Sequence, residues 1–424
     1  MQYNKAMNGE KTTQIKLSQW WQKWWWVTIL SLILLLASFL RLHSLGQIKE
    51  YLFDECYHIP PARLIAKWDK KAFEWHHGDL STEAEGAIDL DGAYIDWLHP
   101  PVHKYWQAIN IAILGNNEIA WRLSSAISGV AVCGLAFWLA DLCFKKKVIG
   151  LLAAGIIAVD PLMITQSRVG MNDMMVIALM VLAVILWKKW QENKETEKDW
   201  RWWIGMSVVM GLAVATKWSA VWIMIGLGLA TLIDGQAKQK LQTFGKAMGR
   251  LVVFGGVALA IYCLSYVPAL MMGHNVEHLL ELHNQIFLYQ KRTDLEHYRS
   301  SVPLEWVMGE KSIIYTTRAG QTPEVTLEAN KMVLALGLAS VVWSLSWLVW
   351  NWGNKKLKSD ERKEQANLWL MAGMYVMAFG PWIFSPRIMF LYHYLPALPY
   401  LYVVMAFWIE KIFTGLLTVY RAQN

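Results

Sequence analysis

Long apolar stretches alternate with short charged segments along this chain. The apolar stretches are about twenty residues long, which is the length that a helix needs to cross a bilayer. The regular alternation of a membrane β-barrel strand is absent. We therefore predict an all-α polytopic membrane protein with about ten transmembrane helices. The predicted spans are 24–44, 118–141, 147–165, 172–188, 202–216, 218–234, 249–270, 330–351, 366–384 and 388–410.

Charge orients these spans. The chain ends outside the spans (1–23 and 411–424) and the short segments 145–147, 188–201, 238–250 and 355–363 together carry 23 Lys and Arg. The two long loops, 46–117 and 271–329, carry 11 against 19 Asp and Glu. Positively charged segments stay in the cytoplasm, so we predict cytoplasmic termini and place both long loops outside. The expected location is the plasma membrane, with any site in these loops on the extracytoplasmic face.

The predicted spans form a single transmembrane domain over 24–412, flanked by cytoplasmic tails at 1–23 and 413–424. The first tail is polar and basic without a cleavage site, so we expect the first span to be retained. Residues 202–234 are too long for one span and hold Lys217 near their centre. We predict two short helices that turn at residues 216–218 and place Lys217 on the outer side.

Composition agrees with a membrane protein, since 55% of the residues are hydrophobic and the mean hydropathy is +0.26. The net charge of +7 would suit nucleic-acid binding, but the basic residues follow the membrane pattern instead. The four cysteines show neither metal-ligand spacing nor a disulfide framework.

The first long loop begins with Asp54 and Glu55, followed by His58. Charged groups at the edge of a bilayer are costly unless they are paired or used. Neighbours on a helix point about 100° apart, so the two carboxylates should have separate roles. One is expected to act on a substrate and the other to contact a structural cation or the backbone. A solvated acidic loop start is the alternative.

Both long loops contain further predicted helices. Residues 60–80 are helix-like, basic and aromatic, and an acidic segment follows at 83–96. Two prolines then precede an aromatic-rich helix over 102–114 that we expect in the membrane interface. In the second loop, apolar residues at helical spacing predict a helix over 276–292.

Three further groups of polar residues lie at predicted span ends. His99 and Lys104 flank the proline bend, which is either a site or the start of an interfacial helix with a snorkelling lysine. Arg168 lies in a predicted tight turn and needs an anion, either Asp173 or a ligand phosphate. At the last span, the basic and aromatic side chains suit either a phosphate site or the aromatic belt of the membrane. These are Arg387, Tyr392 and His393.

Together these motifs resemble the protein O-mannosyltransferase family over most of the chain. The matching stretches are Phe53-Asp54-Glu55, His99-Pro100-Pro101 with Lys104, Trp121-Arg122-Leu123-Ser124-Ser125, Gln166-Ser167-Arg168 with Asp173, Gly211 to Ser219, and Phe390 to Pro399. The resemblance implies a GT-C glycosyltransferase fold and a polyprenyl- or dolichyl-phosphate-mannose donor. It also implies inverting transfer to Ser or Thr of translocated proteins. By motif match, Asp54 corresponds to the family's essential acidic residue and Arg168 to its important arginine.

The chain departs from the family pattern at two places. His103 stands where the family usually has glycine, and Glu310-Lys311 replace a usual Arg-Pro. There is no room for the luminal β-trefoil domain of fungal and animal members, so we expect a bacterial-type enzyme. The altered second loop leaves the acceptor and the sugar open.

For such an enzyme we predict that Asp54 is the base and that Glu55 orients it or the acceptor. The expected phosphate-binding residues are Lys104, Arg168, Lys217, Arg387 and His393. Further site candidates are His58, His99, Asp173 and Tyr392, and the expected acceptor-lining residues are Tyr289, Tyr298 and Trp306. No metal or other cofactor is predicted, although related superfamily members use a divalent metal.

The predicted partners are the lipid donor, an extended acceptor protein and the protein-export machinery. The nearest alternative is another lipid-carrier glycosyltransferase that acts on lipid or glycan. A transporter is the alternative from a different class, but transporters usually place ionisable residues at the midplane and show repeated halves. A purely structural membrane partner is a further alternative.

Overall fold

The computed structural model describes residues 23–74, 97–193, 199–236, 241–316, 325–353 and 357–423. This part of the chain is mostly helical, as predicted. Its sixteen helices are α1 Lys23–Leu42, α2 Glu55–Ala66, α3 Val102–Leu114, α4 Glu118–Phe144, α5 Lys147–Val159, α6 Pro161–Ser167, α7 Asp173–Asn193, α8 Asp199–Val214, α9 Val221–Gln236, α10 Leu241–Leu264, α11 Val267–Met271, α12 Val276–Gln290, α13 Pro303–Met308, α14 Lys331–Trp350, α15 Ser359–Ile383 and α16 Leu398–Gln423.

Short turns and one small sheet complete the described part. Its 3₁₀ turns are Lys70–Phe73, Trp218–Ala220 and Leu391–Ala397. In the second long loop, strand β1 (Ile313–Ile314) pairs antiparallel with β2 (Thr326–Leu327), so that Ile313 lies opposite Leu327.

Each predicted span coincides with a helix, or with two helices separated by a break. Five helices of the described residues are long and apolar enough to cross a membrane, or six if α5 and α6 form one broken span. These two helices meet at 61°, because Pro161 has no amide hydrogen to continue the α5 ladder. Asp160 caps α6 by accepting from the amide of Met163 at 2.8 Å. The total of ten spans stays a prediction.

The break expected in the middle of residues 202–234 is confirmed. Helix α8 ends at Val214, and the 3₁₀ turn over 218–220 leads into α9. Lys217 lies between them in an extended conformation, with φ of −157° and ψ of 130°. The break therefore removes a lysine from the interior of a long apolar helix and presents it at a helix end.

The helices of the two long loops differ from their predicted bounds to different degrees. Helix α3 lies where it was expected, and α12 ends two residues before its predicted end. The helix-like stretch predicted over 60–80 is misplaced: α2 covers 55–66, a 3₁₀ turn covers 70–73, and residues 75–80 lie outside the described part. The acidic segment 83–96 also lies outside it. The domain boundary predicted at 412 falls within α16.

The core is built by α4, α5, α7, α8 and α10. Helix α4 packs against α5 and α7, α7 packs against α8, and α8 packs against α10. Two glycines allow close approach. A Cβ at Gly150 of α5 would lie 2.8 Å from the Phe137 carbonyl of α4, and one at Gly211 of α8 would lie 2.7 Å from the Ala258 carbonyl of α10. Small residues let membrane helices pack closely in this way.

Candidate active site

Asp54 lies at the N-cap position of α2, near the start of the first long loop. The preceding residue, Phe53, has a φ of 48°, a left-handed conformation that is unusual for a bulky residue. The Asp54 Oδ2 atom accepts one long hydrogen bond, 3.3 Å from the Tyr392 hydroxyl. No described residue donates to Oδ1, and the side chain keeps part of its surface open. Asp54 is thus a carboxylate with acceptor capacity left unused.

A chain of four hydrogen-bonded side chains lies beside Asp54. The Lys217 ammonium donates to Asp173 Oδ1 at 2.6 Å, and the Gln166 amide donates to Asp173 Oδ2 at 2.8 Å. The Tyr315 hydroxyl donates to Gln166 Oε1 at 2.7 Å. The Lys217 ammonium also lies 5.2 Å from the centre of the Tyr392 ring. These contacts bring the second long loop, α6, α7 and the 216–218 turn to one place.

The environment of Asp54 raises the pKa of its carboxyl group to about 6. Burial is the main cause, and nearby Asp173 adds to it. His58, Lys217 and the hydrogen bond from Tyr392 act in the opposite direction and favour the carboxylate. A pKa near neutrality is what a general base needs, because it can then both accept and release a proton.

Glu55 has a different environment although it is the next residue. Its two oxygens accept from Nε and Nη2 of Arg122, each at 2.8 Å. Backbone amides of Gly170 and Leu52 add hydrogen bonds of 2.6 and 2.8 Å. Glu55 and Arg122 are both buried. Of the two roles expected for these carboxylates, the contacts of Glu55 therefore fit the structural one. Glu55 joins the loop to α4 and to the turn after α6.

Arg168 does not pair with Asp173, so the predicted alternative of an internal salt bridge between them is wrong. Its Nη1 atom donates to the carbonyls of Leu40 and His43, at 2.9 and 2.8 Å. The predicted tight turn is shorter than expected, because Gln166 and Ser167 belong to α6. Arg168 thus lies at the end of α1, outside the group of side chains that contact Asp54, and its phosphate role stays a prediction.

The proline bend lies next to His58, which is itself close to Asp54. The rings of His58 and His99 are 5.2 Å apart. Lys104 is buried and donates to the His99 carbonyl at 2.8 Å. His103, where the family usually has glycine, is hydrogen-bonded to the Ser124 hydroxyl at 3.1 Å. The lysine is therefore held inside the bend and does not snorkel.

Arg387 lies before the 391–397 turn, and Tyr392 and His393 lie within it. Tyr392 contacts Asp54. Burial raises the pKa of the Tyr289 phenol, and the nearby Arg387 guanidinium acts on this pKa in the opposite direction. The His393 imidazole is bound to the backbone of Phe390 and packs against Trp382, with ring centres 4.4 Å apart. These contacts place Arg387 near the site. They also hold the His393 ring in place by packing and by hydrogen bonds to the backbone.

Sequence reasoning missed two residues of the second long loop. Tyr315 is fully buried, and its ring stacks on Phe53 with centroids 5.0 Å apart. The Arg299 guanidinium lies 5.6 Å from the Phe53 ring and 4.8 Å from the Tyr298 ring. Neither belongs to a motif with a spacing that predicts these contacts. Trp306, predicted to line an acceptor path, is fully buried, so that prediction is wrong.

Comparison with known proteins places this site in a family. A family model described as dolichyl-phosphate-mannose-protein mannosyltransferase matches residues 31–274. A second model, the C-terminal four-transmembrane region of protein O-mannosyltransferase, matches residues 275–422. The chain belongs to the protein O-mannosyltransferase family. The family model spans Asp54, Arg168, Asp173 and Lys217, and the second spans Tyr315 and Tyr392.

Among relatives in the protein O-mannosyltransferase family, the chain resembles the polyprenol-phosphate-mannose–protein mannosyltransferase of Mycolicibacterium smegmatis. The two are 27% identical over 275 residues, which are 58% of this chain and 50% of that protein. The chain thus matches about half the length of this relative. The enzyme of the same name from Corynebacterium glutamicum is 21% identical over 392 residues, covering 76% of this chain and 71% of the relative.

Solved structures show the same fold. The Saccharomyces cerevisiae Pmt1-Pmt2 protein O-mannosyltransferase complex bound to the sugar donor matches with a TM-score of 0.74 at 12% identity. This match covers 90% of this chain and 84% of that one. ArnT from Cupriavidus metallidurans bound to undecaprenyl phosphate matches with a TM-score of 0.59 at 13% identity, covering 92% and 60%. The predicted GT-C fold is confirmed.

Proposed function

We propose that this protein transfers mannose from a polyprenyl-phosphate-mannose donor to Ser or Thr hydroxyl groups of extended protein segments. The observation that carries the proposal is the Asp54 carboxylate, which has a free acceptor position beside Lys217 in a member of this family. The relatives from Mycolicibacterium and Corynebacterium carry the name of this activity.

In the proposed reaction Asp54 acts as general base. It takes the proton of the acceptor hydroxyl while that oxygen attacks the anomeric carbon of mannose from the face opposite the phosphate. The bond between this carbon and the phosphate oxygen breaks, and the lipid phosphate leaves with the electron pair. The sugar therefore inverts. Asp54 then returns the proton to solvent, which a pKa of about 6 permits at neutral pH.

The departing phosphate needs positive charge more than it needs a proton. Lys217 is the best placed cation, since its ammonium lies beside Asp54 and over the Tyr392 ring. Arg387 and Lys104 are the next candidates, and Arg168 is the most remote of the proposed phosphate-binding residues. Glu55 and Arg122 are proposed to position Asp54 and not to touch the substrate.

The proposed topology keeps both termini in the cytoplasm and the site outside. It rests on the distribution of Lys and Arg between short segments and long loops. Because an active site there has no access to cytoplasmic nucleotide sugars, a lipid-carried donor suits this location. An acceptor must be extended to reach Asp54, which makes segments emerging from the export machinery suitable substrates.

The test is a transfer assay with the purified protein. Labelled polyprenyl-phosphate mannose is incubated with a Ser/Thr-rich peptide, with the same peptide in which Ala replaces Ser and Thr, and with a lipid-linked glycan. We expect label on the first peptide alone. Label on the glycan would favour the alternative glycosyltransferase, and no transfer to any acceptor would overturn the proposed activity.

A further inference from the structure

Tyr315 contacts the backbone segment that carries Asp54 and is linked, through Gln166 and Asp173, to the lysine beside it. Its carbonyl accepts from the amide of Phe53 at 2.9 Å, and its ring stacks on the Phe53 ring. Its hydroxyl begins the chain through Gln166 and Asp173 to Lys217. We propose that Tyr315 is a positioning residue that holds the base, Asp54, and the phosphate-binding lysine, Lys217, in fixed positions relative to each other.

The backbone contact matters because Phe53 adopts a left-handed conformation, with φ of 48°. Such a conformation is unfavourable for an aromatic residue and persists only where the surroundings hold it. The carbonyl and ring of Tyr315 supply two of these restraints, and the following residue is Asp54. The second long loop therefore fixes the direction in which the base points.

The hydroxyl contact acts on the other side of the site. Gln166 can donate to Asp173 only while its amide has the observed orientation, and the Tyr315 hydroxyl fixes that orientation by occupying Oε1. Asp173 in turn is the ion-pair partner of Lys217, at 2.6 Å. Tyr315 is anchored by its own amide, which donates to the Val325 carbonyl at 2.7 Å next to β2. All four side chains are buried or nearly so.

The inference rests on the proposed function in assigning Lys217 to the donor phosphate, so its test measures phosphate binding apart from sugar transfer. The probe is polyprenyl phosphate without sugar, titrated into the purified full-length protein in detergent. Tyr315→Phe removes the hydroxyl and keeps the ring and the carbonyl. We expect a five- to tenfold rise in Kd, roughly the effect of losing one buried hydrogen bond.

Two further variants separate positioning from general stability. Gln166→Met breaks the same chain one step later, so it should raise Kd by a similar factor, and the double variant should show no additional rise. Tyr400→Phe is the matched control, since it also removes a hydroxyl from a buried tyrosine but one with no hydrogen-bond partner among the described residues. Its Kd should equal that of the parent.

An unchanged Kd in Tyr315→Phe, or fully additive effects in the double variant, would overturn the inference. If Tyr315→Phe does not accumulate, an unchanged Kd in Gln166→Met overturns it equally. If the parent protein does not bind polyprenyl phosphate, the inference is overturned as well. A parent that binds the phosphate but transfers no mannose would refute the proposed function and leave this inference to be decided by the Kd values.

Discussion

Asp54 and Glu55 are neighbours in the chain with opposite surroundings. Glu55 is buried and accepts hydrogen bonds from two guanidinium nitrogens and two backbone amides. Asp54 accepts one long hydrogen bond to its side chain and has its pKa raised to about 6. A carboxylate whose acceptor positions are filled holds structure together, whereas one with unused positions can take a proton from a substrate. From this comparison we propose structural support for Glu55 and chemistry for Asp54.

The largest expected effect tests the structural half of the comparison. Arg122→Met would leave Glu55 buried without its cation, which costs about 3–5 kcal/mol for a buried pair. We expect a large loss of folded protein, measured by the yield of monodisperse material in detergent and by its melting temperature. Arg250→Met is the control, because its ion pair with Asp199 is more exposed and should contribute about 1 kcal/mol or less. Equal losses for the two variants would contradict the structural role of Glu55.

The second largest effect is expected for Lys217, the cation beside Asp54. Lys217→Met removes the ammonium proposed to bind the donor phosphate, so the KM for the donor should rise by about 10- to 100-fold, as expected for a charged hydrogen bond worth about 1.5–3 kcal/mol. Steady-state transfer at varied donor concentration measures it. Lys49→Met serves as control, because Lys49 pairs with Glu118 and its side chain is 75% exposed. A Lys217 variant with the donor KM of the parent would remove this residue from phosphate binding.

The pH dependence follows from the pKa of Asp54. A base must be unprotonated, so kcat/KM should fall about tenfold for each pH unit below a midpoint near 6. Activity is therefore retained at neutral pH and lost toward acid. His58, Lys217, Tyr392 and Asp173 are the groups that face this carboxyl. The first three oppose the upward shift of its pKa, and Asp173 adds to it. A profile that stays flat down to pH 4.5 would show that another group, or none, controls the proton.

The smallest effect is expected at Arg168. Its contacts are the carbonyls at the end of α1, and no described contact joins it to Asp54. Arg168→Ala should weaken donor binding by about fivefold, less than Lys217→Met, since lost hydrogen bonds to carbonyls are worth roughly 1 kcal/mol. Donor titrations of both variants measure the ranking. A larger effect at Arg168 than at Lys217 would place the phosphate closer to α1 than proposed.

Much of this architecture was predictable from sequence because the membrane imposes a length and a polarity on each helix. The break at Lys217 followed from the cost of a lysine inside a long apolar helix, and the motif resemblance identified Asp54 and the residues around it. The start of α2 was misplaced because its two prolines obscured the helical pattern.

Contacts between distant loops were not predictable. Arg168 and Asp173 are close in sequence, yet Asp173 pairs with Lys217 and Arg168 turns toward α1, a choice that depends on how α6 bends at Pro161. Tyr315 belongs to no motif, and its position follows from the β1–β2 pairing. Likewise, the aromatic pattern could not distinguish a buried Trp306 from one that lines a substrate path.

The most direct test exchanges each carboxylate for an amide and measures mannose transfer per folded molecule. Asp54→Asn should fold like the parent and lose about 10²–10⁴-fold in kcat, the range typical of a lost general base. Glu55→Gln should instead reduce the amount of folded protein. Transfer by Asp54→Asn at the parental rate per folded molecule would contradict the assignment of chemistry to Asp54.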